Sequence, residues 1–317
     1  MSAAVLAAPA QARVEQVARP EPQDGYVRVR LEGCGVCGSN LAPWEGKPWF
    51  KYPFSPGEPG HEGWGEIDAV GGGVSTVRCG DRVALMSYHA FAEYDVAPES
   101  AVVRLPGQLR GQPFPGEALG CAMNVFRRCE ITRDQVVAIV GIGFLGAILT
   151  QLAANAGAKV LAISRRPFAL EVAKSLGAEE TIPMDDHLKI IEQVKSFTDG
   201  QGCQCVIEAV GQQWPLDLAG ELTRERGRLV IAGYHQDGPR QVNMQLWNWR
   251  GLDVINAHER DPRVYVEGMR AAAEAVAAGT LDPAPLYTHS FGLGEISDAF
   301  HSMRDRQGAF MKALVRL

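Results

Sequence analysis

A glycine pattern near the middle of the chain constrains the fold more than any other feature. Residues 141–146 read G-I-G-F-L-G, which follow the apolar, β-branched run Gln135–Val140 and open a helical pattern that continues to Ala158. In this setting the first glycine permits a tight turn, the second admits a pyrophosphate, and the third lets the helix pack on the strand. The helix start adds N–H donors and partial positive charge. The alternative is a glycine-rich turn of another α/β fold. We predict a dinucleotide site made by Gly141, Gly143, Phe144, Leu145 and Gly146.

The region around this pattern alternates between strands and helices. Further buried strands are predicted at Lys159–Ser164, Cys205–Glu208 and Arg228–Ala232, with a last strand at Leu252–Ala257. Strands that alternate with helices are typical of a doubly wound parallel sheet. We therefore predict a Rossmann domain over residues 129–258.

The remainder of the chain differs in composition and pattern: it is rich in Gly, Pro and short β-type runs. Alternating or apolar runs at Tyr26–Leu31, Gly63–Val70 and Arg82–Leu85 predict a small β-rich barrel or sandwich. The apolar tail Lys312–Leu317 is expected to rejoin it. A chain of 317 residues suits two domains, and we assign 1–128 with 259–317 to the β-rich one.

Composition limits the possible partners. The net charge is -6 and no block of Lys and Arg stands out, so nucleic acid is not an expected partner. No run of about 18 apolar residues predicts a membrane span. Seven cysteines without a secretory signal favour reduced thiols and a cytoplasmic protein.

The end of the second predicted strand bears on the choice of cofactor. NAD enzymes usually place Asp or Glu there, about 20 residues past the glycine loop. This chain has Ser164, Arg165 and Arg166 instead. Arginine can form bidentate hydrogen bonds with the 2′-phosphate of NADP, which a carboxylate would repel. NADP is therefore favoured over NAD. The alternative is that both arginines are merely solvated. Gly211 is also assigned to the cofactor site.

Possible metal ligands lie in the β-rich part. Cys37 ends a C-x-x-C pattern, and His61 and Glu62 follow about 20 residues later. Cysteine, histidine and carboxylate are the ligands of catalytic zinc sites that keep an open position. A redox pair is less consistent, because such pairs lie near a βαβ pattern. Half a structural zinc site would need a second C-x-x-C, which Cys203 and Cys205 do not form.

Several motifs together resemble the zinc-containing medium-chain dehydrogenase/reductase family, which includes alcohol, sorbitol and threonine dehydrogenases. They are G-C-G-V-C-G-S at 33–39, P-G-H-E-G at 59–63, G-D-R-V at 80–83, F-A-E-Y at 91–94, G-E-A-L-G-C-A at 116–122 and the glycine loop. The resemblance spans nearly the whole chain in order. It implies an α/β protein with a GroES-like β-rich catalytic domain and a Rossmann domain. It also implies hydride transfer between a nicotinamide cofactor and a small alcohol or carbonyl compound.

The resemblance also implies roles for single residues. Cys37 and His61 would be zinc ligands, and Glu117 would be the third, with Cys121 one helical turn later as the alternative. Glu62 would bind the metal directly or support it from beside His61. Ser39 would relay the proton of the substrate alcohol, with hydrogen bonding to nearby backbone as the alternative role.

Two departures from the family pattern matter at this site. The usual aspartate after the relay serine is Asn40, and the distal histidine of some alcohol dehydrogenases aligns with Ala42. The relay would therefore end at the cofactor ribose, at water or at another residue.

A third departure concerns metal content. The four-cysteine structural zinc lobe that many relatives carry after G-D-R-V is absent, so we expect one catalytic zinc per subunit and no structural zinc. The strand near residues 251–257 commonly pairs across a two-fold axis in the family, which implies a homodimer or a homotetramer.

The substrate is predicted only as a class. The polar run His258-Glu259-Arg260-Asp261 would suit a polyol, sugar or cyclitol, although it could equally be a solvated loop. Two alternative functions remain. One is a zinc-free quinone or enoyl reductase of the same superfamily, and the other is a non-catalytic NADPH-binding protein.

Overall fold

The computed structural model describes all 317 residues, which divide into two compact units. The first unit comprises Met1–Cys121 with Arg260–Leu317, and the second comprises Ala122–Glu259. Our domain limits, 1–128 with 259–317 and 129–258, stay a proposal.

The regular elements are numbered in chain order. The strands are β1 (Ser2–Ala8), β2 (Gln11–Gln16), β3 (Tyr26–Gly35), β4 (Gly63–Val70), β5 (Arg82–Leu85), β6 (Tyr94–Pro98), β7 (Val102–Arg104), β8 (Val136–Val140), β9 (Lys159–Ser164), β10 (Glu180–Pro183), β11 (Cys203–Glu208), β12 (Thr223–Ile231), β13 (Asp253–Asn256), β14 (His289–Gly292) and β15 (Ala313–Arg316). The α-helices are α1 (Leu41–Trp44), α2 (Gly116–Cys129), α3 (Phe144–Asn155), α4 (Pro167–Ser175), α5 (His187–Phe197), α6 (Gln213–Leu222), α7 (Met244–Arg250), α8 (Pro262–Ala277) and α9 (Ile296–Asp305).

The first unit is built around a seven-stranded sheet. Its main path is β14-β15-β3-β4-β5-β7, and β6 also pairs with β3. The long strand β3 pairs antiparallel with β4 and with β15, so the last strand of the chain joins the β-rich unit as expected. The core includes Trp44, Phe91 and Phe300, and the ring centroids of Trp44 and Phe300 are 4.9 Å apart. This sheet fixes the loops that follow β3 and precede β4.

The second unit contains a six-stranded parallel sheet in the order β10-β9-β8-β11-β12-β13. That order, with the first strand in the middle, is the doubly wound arrangement that carries dinucleotides at the carboxyl ends of its strands. The central strands are buried because they are continuous apolar runs, such as V-V-A-I-V in β8. The predicted parallel sheet is confirmed.

None of the helices is both long and apolar enough to cross a lipid bilayer.

Candidate metal and cofactor sites

The C-x-x-C segment and the P-G-H-E segment meet because their strands are neighbours. Cys37 follows β3 and His61 precedes β4, and Cys34 pairs with Gly63 where these antiparallel strands meet. One possible ligand atom from each of Cys37, His61 and Glu62 lies within 4.8 Å of the others. The structure thus brings together three of the predicted site residues.

The His61 ring is oriented by a backbone carbonyl. Its Nδ1 lies 2.9 Å from the Pro59 oxygen, to which it donates, so Nε2 is left facing the cluster, 3.4 Å from Ser39 Oγ. Such a hydrogen bond fixes the ring nitrogen that remains available to a metal. Burial opposes a charged ring, but the Cys37 group and then Glu117 and Glu62 raise the pKa of His61 to about 10. The thiol and carboxylate groups around His61 would also attract a metal cation.

Asn40 holds the two ligand segments together. Its buried side-chain oxygen accepts from the Cys37 backbone N–H at 2.9 Å, and its side-chain nitrogen donates to the Pro59 carbonyl at 2.9 Å. Pro59 therefore accepts from both Asn40 and His61. An amide can donate and accept at once, which a carboxylate cannot. Asn40, which stands where the family usually has aspartate, thus links the backbone of the Cys37 segment to that of the Pro59 segment.

Glu62 is fully buried and pairs with a lysine from the C-terminal strand region. Lys312 Nζ donates to Glu62 Oε1 at 2.7 Å and lies 2.5 Å from Oε2, which accepts no hydrogen bond of good geometry. Room for this carboxylate depends on Gly35, because a Cβ there would lie 1.8 Å from Oε2. The Lys312 ammonium group thus lies against both oxygens of this buried carboxylate.

Glu117 and Cys121 lie one turn apart at the start of α2, and both interact with the cluster. The pKa of Glu117 is raised by loss of solvent and by Glu62, while His61 opposes the shift. The pKa of Cys121 is also raised, first by burial and then by Glu117 and Cys37. Both side chains thus lie within electrostatic range of the Cys37, His61 and Glu62 cluster.

The donor set fits zinc. A thiol, an imidazole nitrogen and carboxylates are the groups zinc takes, and the possible ligand atoms of Cys37, His61 and Glu62 all lie within 4.8 Å of one another. Ser39 lies beside the histidine, where its hydroxyl can relay a proton. The arrangement can polarise an oxygen and carry away its proton.

The glycine loop of the second unit has the shape that its sequence predicts. Gly141 has φ +104°, and its N–H donates to the Ile163 carbonyl at 2.8 Å. A Cβ on Gly146 would lie 2.0 Å from the Gly141 oxygen, so only glycine lets α3 pack here. A Cβ on Gly143 would meet no protein atom within 4 Å. The space in front of Gly143 thus suits a ligand at the start of α3, where Phe144 and Leu145 form its first turn.

The three residues at the end of β9 have different surroundings. Ser164 is buried, and its hydroxyl accepts from the Arg166 backbone N–H at 3.3 Å. Arg166 donates from its guanidinium to the Ile142 carbonyl at 3.0 Å. Arg165 is exposed and pairs with no protein group. Arg166 therefore supports the glycine loop, and Arg165 is the arginine available to a ligand.

A buried network holds the turn that contains Gly211. Glu208 accepts from the backbone N–H groups of Val210 and Gly211, both at 2.7 Å, and from His235 Nε2 at 3.0 Å. Arg240 Nε donates to His235 Nδ1 at 2.9 Å and its guanidinium donates to the Gly211 carbonyl. The turns after β11 and β12 are thus tied to each other.

Two family models match this chain. The alcohol dehydrogenase GroES-like domain matches residues 23–107, and the zinc-binding dehydrogenase domain matches residues 145–274. The first region contains the Cys37, His61 and Glu62 cluster. The second begins near the end of the glycine loop and contains the strands β9 to β13 of the parallel sheet. The chain belongs to the zinc-containing medium-chain dehydrogenase family. Both the α/β fold class and the GroES-like and Rossmann architecture are confirmed.

Individual proteins that resemble this chain along nearly its whole length are also dehydrogenases. A sorbitol dehydrogenase from Halalkalibacterium halodurans is 25% identical over 94% of this chain and 94% of its own. A 5-exo-hydroxycamphor dehydrogenase from Pseudomonas putida is 29% identical over 96% of both chains. The solved alcohol dehydrogenase RspB from Escherichia coli CFT073, complexed with NADH, is 25% identical with a TM-score of 0.88, over 100% of this chain and 99% of its own. This zinc-type dehydrogenase is accordingly an NAD(P)-dependent oxidoreductase.

Some residues of this dehydrogenase were missed by sequence reasoning. Lys312 could have been suspected, because a single charge inside the apolar run F-M-K-A-L-V needs a buried partner. Glu208, His235 and Arg240 gave no such signal, since their contacts join separate segments of the chain.

Proposed function

We propose that the chain is a zinc-dependent dehydrogenase that transfers a hydride between NADP and a small alcohol or carbonyl compound. The observation that carries this proposal is the convergence of Cys37, His61 and Glu62 within 4.8 Å. A zinc-free reductase would not need a cluster of Cys37, His61 and Glu62. It would also not need a histidine ring that is oriented by the Pro59 carbonyl.

The roles of the site residues follow from their surroundings. Cys37 and His61, with Glu62 and Glu117, would hold the metal. When bound, zinc supplies a Lewis acid that lowers the pKa of the substrate hydroxyl. Ser39 would relay the hydroxyl proton: its Oγ would accept that proton while its own hydroxyl proton passes to the cofactor ribose, to water or to another residue. The Asn40 and Pro59 contacts keep the ligand segments in place.

One metal per chain is part of the proposal. Cys37, His61 and Glu62 form the only group of three or more His, Cys, Asp or Glu side chains this close together. The connection between β5 and β6, residues 86–93, contains no cysteine that could build a second site.

The cofactor would lie on the glycine loop, with its pyrophosphate in the space in front of Gly143. NADP is proposed over NAD because Arg165 is exposed at the end of β9 without a protein partner. Ser164 and Arg166 shape the same turn, and Gly211 forms the turn after β11.

The proposed substrate class is hydroxylated compounds such as a polyol, sugar or cyclitol. Sorbitol dehydrogenase is among the relatives that match along nearly the full length of the chain. Within the polar run that motivated the class, Asp261 serves as the N-cap of α8 by accepting from the Arg263 N–H.

The test is turnover of a panel of polyols, cyclitols and simple alcohols with NADP and NAD, before and after chelation. Chelation should abolish turnover and zinc should restore it. Ser39→Ala should lower kcat by about 10²–10⁴-fold, the contribution of a positioned proton-transfer group. Full turnover after complete removal of metal would contradict the proposal.

A further inference from the structure

Two tyrosines beside the ligand cluster have hydroxyl groups that no protein atom engages. Tyr88 lies in the loop between β5 and β6, is 67% exposed, and has its ring centroid 6.3 Å from that of His61. Tyr265 lies in the first turns of α8 and is half-buried. Neither hydroxyl forms a hydrogen bond within the protein. Both are therefore available to a group from outside.

Close packing of two helices sets the position of Tyr265. A Cβ on Gly120 would lie 2.6 Å from the Met269 backbone nitrogen, so α8 rests directly on α2 at this point. Tyr265 precedes Met269 by about one helical turn and so lies on the same side of α8. Glu117 and Cys121 flank Gly120 on α2. The phenol is thus directed toward the two candidate ligands on that helix.

The electrostatic surroundings agree with this placement. Loss of solvent raises the pKa of Tyr265, and the nearby Cys121, Glu117 and Tyr88 groups raise it further, while Arg260 opposes them. The phenol therefore stays protonated and can donate a hydrogen bond. The hydroxyl is not fully buried, so a bound molecule that carries an acceptor can reach it.

We propose that Tyr265 is a substrate-positioning residue that donates a hydrogen bond to a second oxygen of the substrate, beside the reacting hydroxyl. The inference rests on the proposed function, since it places the reacting oxygen at the Cys37, His61 and Glu62 cluster. Tyr88 borders the same region on its exposed side and can contact a longer substrate.

This role predicts discrimination by hydroxyl count. A site built to bond a substrate hydroxyl loses much of its activity toward an analogue without that group. Because Tyr265 is only half-buried, we expect the wild type to favour a vicinal diol over its mono-alcohol by about 10–100-fold in kcat/KM. A site without such a donor would treat the two compounds alike.

The experiment compares butane-2,3-diol with butan-2-ol, and cyclohexane-1,2-diol with cyclohexanol, in the zinc-loaded enzyme. Tyr265→Phe should reduce the diol-to-monoalcohol ratio of kcat/KM by about 10–100-fold, mostly through KM for the diol. Tyr94→Phe, which removes a phenol hydroxyl elsewhere in the first unit, should leave the ratio unchanged. Thermal unfolding followed by circular dichroism checks that each variant folds.

The outcomes separate this inference from the proposed function. Turnover of the mono-alcohols with no preference for diols, or with a preference that Tyr265→Phe does not alter, overturns the inference and leaves the proposed function intact. An effect found only in Tyr88→Phe overturns the assignment to Tyr265. No turnover of any compound in the full panel of polyols, cyclitols and simple alcohols by the zinc-loaded wild type contradicts the proposed function, and the inference with it.

Discussion

At the scale of single residues, the ion pair between Lys312 and Glu62 should contribute strongly to stability because both charges are buried. Both side chains are almost completely buried, and Lys312 Nζ lies 2.7 Å from Glu62 Oε1. Removing one partner leaves a charge in the interior, which is more costly than removing both. We expect Lys312→Met to lower the free energy of unfolding by about 3–5 kcal/mol.

The matched control is the double variant Lys312→Met/Glu62→Gln, in which no full charge remains at the pair. Urea unfolding of metal-free protein should show a smaller loss for the double variant than for Lys312→Met alone. A single variant within about 1 kcal/mol of the wild type would contradict the structural role of the pair.

Arg165 is the residue on which the choice of cofactor depends. It is exposed at the end of β9, whereas Arg166 is engaged with the Ile142 carbonyl. Arg165→Ala should weaken NADP binding by about tenfold, equal to about 1.4 kcal/mol, with little change for NAD. Arg165→Glu should favour NAD, because a carboxylate repels the 2′-phosphate. Fluorescence titration with each cofactor measures both effects.

The control for Arg165 is Arg110→Ala, which removes an exposed arginine from the first unit. Equal losses for NADP and NAD in Arg165→Ala would mean that the side chain contacts no 2′-phosphate.

At the scale of elements, two glycines of one loop should behave differently. Gly146→Ala places a methyl group 2.0 Å from the Gly141 oxygen, so α3 must move and about 1–3 kcal/mol of stability should be lost. Gly143→Ala meets no protein atom, so its cost should stay below about 1 kcal/mol. Its methyl group instead occupies the space proposed for the pyrophosphate.

Thermal unfolding and cofactor titration distinguish the two glycine variants. Gly143→Ala should retain its melting temperature while its Kd for the cofactor rises by about tenfold or more. An unchanged cofactor Kd in a folded Gly143→Ala protein would place the pyrophosphate elsewhere.

Elements with strong local patterns could be predicted from the sequence, and others could not. β4, β5 and β9 match their expected ranges because turn residues and alternation or apolar runs delimit them. The hairpin of β1 and β2 was missed, since four of the seven residues of β1 are alanine, which is depleted in strands. β3 extends four residues past the expected Leu31, because β15 and β4 pair with its glycine-rich end. Local sequence patterns do not reveal this pairing, because the partner strands come from distant parts of the chain.

Some residues of the candidate site could likewise be predicted from the sequence, and others could not. Cys37, His61 and Glu62 could be anticipated because metal ligands have narrow chemical requirements. The partner of Glu62 and the phenol of Tyr265 come from elements far along the chain. Their positions depend on the packing of β15 and of α8 on α2, which no local pattern encodes.

At the scale of the whole molecule, the parallel sheet of the second unit presents β13 as an edge strand. Its Val254 and Ile255 are only half-buried, and an unpaired apolar edge is prone to pair with another chain. We expect a homodimer, or a homotetramer built from such dimers. Ile255→Glu should shift the mass in solution toward the monomer, because it places a charge at the pairing edge.

The control for this prediction is Thr181→Glu, on the opposite edge strand β10. Light scattering after size exclusion should show an unchanged mass for that variant. A monomeric wild type, or equal effects of the two substitutions, would contradict pairing through β13.

The most direct test of the central claim is the metal content of the purified, zinc-supplemented protein, alongside Cys37→Ala and the exposed-thiol control Cys79→Ala. We predict about one zinc per chain in the wild type and in Cys79→Ala, and loss of that zinc in a folded Cys37→Ala. A well-folded wild type without zinc, or a Cys37→Ala variant that keeps it, would contradict the catalytic-zinc account.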